Sequence, residues 1–268
     1  MKNTSIIALL ATIIVIAITG FWPSVSSTVL PNTTWGLYSK DFFENVLVEA
    51  HGTLIDLIVV GLVLYWFEQR NTKKEEITKN LELLKDLRFY QSEGAPYKTF
   101  GTIRRLLSLN ETSLNLSESN LSKLTITSFN FTKCRLHATL LIDTTLKNVE
   151  FSNCLCDGII LAGATLQNTT FAQCSLRRAK FNNAKLNGID FTTCEIQDAN
   201  FTNSTLRSSN FKNIDCLGVN FSNADLRSAN LIGVRNIDLQ SLENAKSLRG
   251  VKTDNSDIKR LIASRVWP

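Results

Sequence analysis

The sequence predicts a four-sided β-solenoid, preceded by a transmembrane helical hairpin and a helical connector. Three observations predict it. Apolar residues recur at every fifth position from Leu116 to Leu231, 24 centres in succession. Residues of one kind recur at every twentieth position, as in Phe131, Phe151, Phe171, Phe191 and Phe211. Two long apolar runs stand ahead of both patterns, and the first 67 residues hold three of the four Trp.

The first run, residues 6–22, reads IIALLATIIVIAITGFW and carries no charge. As a helix it would be roughly 25 Å long, enough to span the hydrocarbon core with little tilt. The second run covers residues 46–67, with Trp66 at the water boundary in the manner of an aromatic belt. Beyond it stand Arg70, Lys73 and Lys74, while the segment between the runs offers Lys40 before Glu44 and Glu49. Positive-inside bias then puts the N-terminus and everything after residue 68 in the cytoplasm. A rival reading makes residues 1–27 a cleaved signal peptide, and it leaves the bulk of the chain on the same side. Glu49 and Asp56 are seven apart, hence on one helical face, with His51 between them. Ionisable groups at membrane depth are candidate functional groups. These lie in the outer half of the span, where headgroups, or Thr12 or Thr19 across the hairpin, would satisfy them equally.

Residues 68–113 form the connector and first cap. Charge is balanced there, and Ile77, Leu81, Leu84 and Leu87 recur at helical spacing. This narrow seam either self-associates or folds onto the next domain. The stretch SEGAP (residues 92–96) breaks the helix, and residues 101–109 read as a short amphipathic helix able to close the first coil.

The five-residue period from residue 114 to 235 suits neither regular element. A helix turns 100° per residue and scatters steps of five, and a strand sends odd steps to opposite faces. Two residues before each centre sits a second, mostly small residue, such as Ala179, Ala184, Ala199 or Ala224. Two residues after it come turn formers, such as Asn153, Gly158, Gly188 and Asn203. Each unit therefore has two inward residues, outward residues and a corner. The twenty-residue recurrence gives four units per turn, so like residues stack about 4.8 Å apart, and six coils span roughly 29 Å.

The units ADLRS (224–228), ANFTN (199–203) and SNFKN (209–213) resemble the pentapeptide-repeat family, over about residues 114–234. The resemblance implies a right-handed quadrilateral β-helix. The earlier units TLLID and IILAG place Leu140 and Ile160 where a polar residue is usual in the family. They share one twenty-step column and form a candidate apolar contact strip. Open solenoid ends need caps. Residues 236–250 read as a helix with Leu239, Leu242 and Leu248 apolar and Gly250 at its end, so the C-terminal cap and tail are expected over 236–268.

Chemistry is sparse. Cys134, Cys154, Cys174 and Cys194 stack in one inward column, and Cys156 and Cys216 are centres, so all six serve as small core fillers. Metal ligation and disulfides are not expected, Cys154 and Cys156 being the least improbable pair. His137 is expected to face outward without an acid at a matching position. No nucleotide loop or nucleophile elbow appears, so no catalytic residue, cofactor or metal is expected. The Asn-x-Ser/Thr sequons at Asn130, Asn168, Asn200 and Asn220 follow from an Asn-rich repeat. The family's best-known activity, imitation of DNA against type II topoisomerases, implies an acidic rod. Here Lys and Arg outnumber Asp and Glu across residues 114–250, which argues against it. Arg207 and Arg227 share an outer column and Arg177, Arg178 and Lys180 cluster, as a solvated face or a surface for an acidic partner or lipid headgroups. The reading is thus a non-catalytic interaction or scaffolding protein at the cytoplasmic membrane face. Its partner is an unspecified protein rather than nucleic acid, and its connector or spans offer a route to homo-oligomers. A DNA mimic, or a membrane sensor or transport accessory using Glu49 and Asp56, are the alternatives.

Overall fold

The computed structural model describes residues 13–17, 19, 21–29, 40–90, 92–264 and 266–268. The chain divides into two compact units, Met1–Lys74 and Glu75–Pro268. In the first unit, residues 13–17 and 19 are helical, and α1 covers Trp22–Val29. Helix α2, Lys40–Asp86, begins here and contains the second expected run. It is the one described helix long and apolar enough to cross a membrane by length and composition, and none of its apolar window is buried. Of the first expected span, residues 6–12, 18 and 20 lie outside the described residues.

The second unit opens on the end of α2. Its seam folds onto the neighbouring domain: Leu84 and Leu87 are buried, and Ile77 and Leu81 pack against the same core. Helix α3, Ala95–Ser108, follows and starts earlier than the expected residue 101. SEGAP therefore begins a helix as well as ending one. Pro96 stands in the first turn, where its fixed φ suits the helix and its missing N–H has no intrahelical acceptor to lose. Ala95, Thr99, Ile103 and Leu106 face inward and close the first coil.

The coil itself is built from parallel pairs in a register of twenty residues. Strand β1 (Thr125–Thr132) pairs with β2 (Thr145–Ser152), placing Ile126 on Leu146 and Phe131 on Phe151. Strand β2 pairs with both β3 (Thr165–Gln167) and β4 (Thr170–Ala172). Elsewhere the same ladder is carried by single bridges, such as Arg135–Leu155 and Asn200–Asn220. All 24 centres are buried, none more than 5% exposed. At the corners the chain turns through positive φ, in Gly158 and Asn203 but also in Lys123, Ala138, Gln173 and Arg178.

The core holds two stacks of phenyl rings. Phe131, Phe151, Phe171, Phe191 and Phe211 form one, with centroids 4.9–6.4 Å apart, and Phe181, Phe201 and Phe221 form the other. Rings of one stack meet the other edge-on, as Phe191 meets Phe201 at 5.6 Å, the geometry that ring quadrupoles favour.

Residues 236–250 are not the expected helix. Only α4, Leu239–Glu243, is helical, and the chain then rejoins the ladder with Asp225 against Ser247 and Asn230 against Lys252. That offset is 22 residues instead of 20, because α4 takes up two extra residues at one corner. The ladder thus runs past residue 235, and Ala245 and Leu248 are core. The closing role falls to α5, Ser256–Ser264, with Ile258 buried, and to Trp267, whose indole N–H donates to the Ile262 carbonyl at 3.2 Å.

Candidate interaction faces of the solenoid

Each five-residue unit sends the residues flanking its centre outward, so each side of the coil displays two columns of side chains. The inward positions leave little to chemistry. The six Cys are free thiols and buried. Those of the stacked column are more than fillers: Cys154, Cys174 and Cys194 donate to the carbonyls of Phe131, Phe151 and Phe171 in the preceding coil, at 3.2–3.3 Å. Thr139 and Ser209 make the same bond with their hydroxyls. Burial pushes the Cys194 thiol up to about 11 and Cys216 up to about 12, so both stay protonated and unreactive at neutral pH. Among the described residues no group of three or more His, Cys, Asp or Glu could hold a metal ion.

On the outer side, Arg207 and Arg227 do share a column, but they are not free charges. Between them sits Asp225, 1% exposed, which accepts from Arg207 Nε at 2.7 Å and from Arg227 Nε and Nη2 at 2.8 and 2.6 Å. Burial alone would raise the Asp225 carboxyl; the hydrogen bonds from Arg227 and Arg207 overcome it and hold the group at about 2. The sequence contained this clue, since Asp225 and Arg227 flank one centre and so share a side. Arg177 pairs with Glu195 at 3.0 Å, and Arg178 occupies a positive-φ corner, exposed.

His137 requires a correction. Asp157 stands twenty residues on in its own column, and the two lie 3.9 Å apart, Nδ1 to Oδ2. Asp157 also accepts a hydrogen bond from the Ser175 hydroxyl. The acid sits between the His and the Ser, so the His does not bridge to the hydroxyl as a general base would have to. Near the end of the coil, the Asn236 amide holds the Asp215 carboxyl below the usual range.

Leu140 and Ile160 bridge to one another and are half-buried, flanked across the same side by Ile142 and Ala162. In the first unit, Glu49 and Asp56 are exposed on α2. The polar groups brought together there are others. Trp22 Nε1 donates to Glu44 at 3.1 Å beside a hollow of about 550 Å³ lined also by Thr19, Leu47, Val48 and His51. His51 Nδ1 lies 2.8 Å from the Leu47 carbonyl, and the Thr19 hydroxyl bonds Val15 of its own helix.

Residues 160–235 match the family model described as a pentapeptide repeat region. No curated protein matches the chain. Among solved structures, a trypsin-treated variant of QnrB1, a plasmid-mediated fluoroquinolone resistance protein, is 19% identical over 56% of this chain and 82% of its own, with a TM-score of 0.27. The pentapeptide repeat protein Rfr23 from the cyanobacterium Cyanothece 51142 is 22% identical over 58% and 96%, also at 0.27. A pentapeptide repeat protein of the Arabidopsis thaliana thylakoid lumen is 19% identical over 57% and 90%, at 0.25. The matched residues form coils whose register is twenty and whose centres are all buried, so residues 160–235 of this chain are a pentapeptide repeat region.

Proposed function

We propose that this is a membrane-anchored pentapeptide-repeat protein acting without catalysis, as a rigid interaction or scaffolding element at the cytoplasmic face of its membrane. The observation that carries this reading is the filled interior. Every centre is buried and two phenyl stacks occupy the axis, so recognition falls to the flat outer faces. Anchoring is inferred from the exposed apolar stretch of α2. Two crossings, over residues 6–22 and 46–67, would form the hairpin, and Arg70, Lys73 and Lys74 would keep the repeat region cytoplasmic.

The partner in this reading is a protein that meets one outer face, with Arg178 and the Leu140–Ile160 strip as the contacts least engaged internally. Imitation of DNA is disfavoured, because the acids Asp225 and Glu195 are already paired with arginines and leave no acidic stripe there. The test is in-cell crosslinking, followed by membrane purification and identification of the linked residues. A discrete partner joined to one outer column supports the adaptor role. Links confined to the chain itself, through residues 68–90 or the spans, would replace it with a self-assembling membrane element.

A further inference from the structure

Helix α3 closes the first coil, and its two sides differ in more than burial. Its fourteen residues contain no acid. Ala95, Pro96, Thr99, Thr102, Ile103 and Leu106 are buried and lie on one side of the wheel. At 100° per residue, Tyr97, Lys98, Gly101, Arg104 and Arg105 fall within an opposite arc of about 120°. Tyr97, Lys98, Arg104 and Arg105 are exposed there. The turn before the helix adds Phe89, 83% exposed, and Tyr90, whose ring lies 5.3 Å from the Lys98 ammonium. The acids nearest in sequence, Asp86, Glu93 and Glu111, all stand outside the helix.

Three bases, two tyrosines and an exposed phenylalanine on one surface make an amphiphilic patch with a single sign of charge. Neither capping nor folding uses it, since the cap is made by the opposite side of the helix. The combination matters more than the one exposed ring, because the headgroup region accepts aromatic rings and positive charge together.

We propose that this outer face of α3, with Phe89 and Tyr90, docks onto an anionic lipid surface, with the bases meeting headgroup phosphates and the rings entering the interface. The idea rests on the membrane-anchored reading, which tethers the same chain to a bilayer. Each base near an anionic surface adds about a fivefold gain in partitioning, so the three together give about a hundredfold.

The full chain is reconstituted in nanodiscs with brominated lipid tails, of phosphatidylcholine alone or with phosphatidylglycerol. An environment-sensitive fluorophore is placed at Gly101→Cys, where an added side chain meets open space. The native thiols are buried, so labelling is selective. A second sample carries the label at Leu62→Cys, in the apolar stretch of α2. Quenching at position 101 with phosphatidylglycerol, lost with phosphatidylcholine alone, in high salt or with Lys98→Glu/Arg104→Glu/Arg105→Glu, is the expected result. A position-101 label left unquenched in the anionic discs overturns the proposal. A label that instead shifts only on adding polyglutamate also overturns it, in favour of an acidic protein. The label at position 62 reports the anchor separately: quenched in both lipids if α2 spans, unquenched if that reading fails.

Discussion

Asp225 ties two arginines of one outer face to a single buried carboxylate. Buried and ionised, it is held at about 2 against the ordinary 3.8, which corresponds to about 2 kcal/mol of stability. Its folded value is depressed, so the contribution is complete above the unfolded carboxylate range and is lost as pH falls from about 4 to about 2. Asp225→Asn is therefore expected to lower the unfolding free energy by about 2 kcal/mol at pH 7, with the gap closing near pH 2. Urea titrations of both proteins at the two pH values check this, and a gap independent of pH would refute the ionic account. Corner residues offer a second measurement. Ala138 sits at φ 51°, where a Cβ costs about 1 kcal/mol, so Ala138→Gly should raise the melting temperature. Gly218→Ala should lower it further than the φ alone explains, since a Cβ there meets the Asp198 side chain. At this scale the sequence was partly legible. Asn and Gly advertised the corners, but Ala138, Gln173 and Arg178 adopt the same backbone because their neighbours in the stack impose it. Asp225 and Asp157 stand in the twenty-residue columns too, but they pair with unlike residues, Arg207 and His137, and so leave no period in the sequence.

The phenyl stacks act as elements in their own right. Phe191 touches rings of both stacks, at 4.9 Å from Phe211 and 5.6 Å from Phe201, with Phe171 and Phe181 beyond. Phe191→Ala should cost about 3–5 kcal/mol, as a buried ring lost to a cavity, while Phe191→Leu should cost less than half as much. Chemical denaturation separates the two, and equal losses would mean that ring geometry, rather than filled volume, holds the stack. The coil was readable because each side chain packs on its own copy, which writes the fold into the sequence as a period. Where no copy exists, that signal stops. The early start of α3 rested on Pro96, which reads equally as a breaker or as a first-turn residue. The 22-residue offset around α4 was hidden because Leu239, Leu242 and Leu248 fit a helix as well as a final coil.

For the repeat unit as a whole, stability should be close to a sum of coils and the contacts between neighbouring coils. A perturbation at one end then stays near that end. Trp267 and α5 cover the last coil, where the amides of Leu226, Ser228 and Leu231 donate to the carbonyls of Ser247, Arg249 and Lys252. Removing the indole takes away its bond to the Ile262 carbonyl and a buried ring at this end, but leaves the centre of the coil untouched. In Trp267→Ala, amide hydrogen exchange at Leu226, Ser228 and Leu231 should accelerate tenfold or more, about 1.4 kcal/mol or above, for a side chain this buried. The amides of Leu166 and Leu146, three and four coils away from that end, should exchange at the parent rate. If these also loosen, the coils unfold as one cooperative body, and an outer face could not be altered locally without disturbing the rest. If they hold, each face can be rewritten coil by coil, and the patch on α3, the Leu140–Ile160 strip and the Asp225 cluster can be tested as separate surfaces.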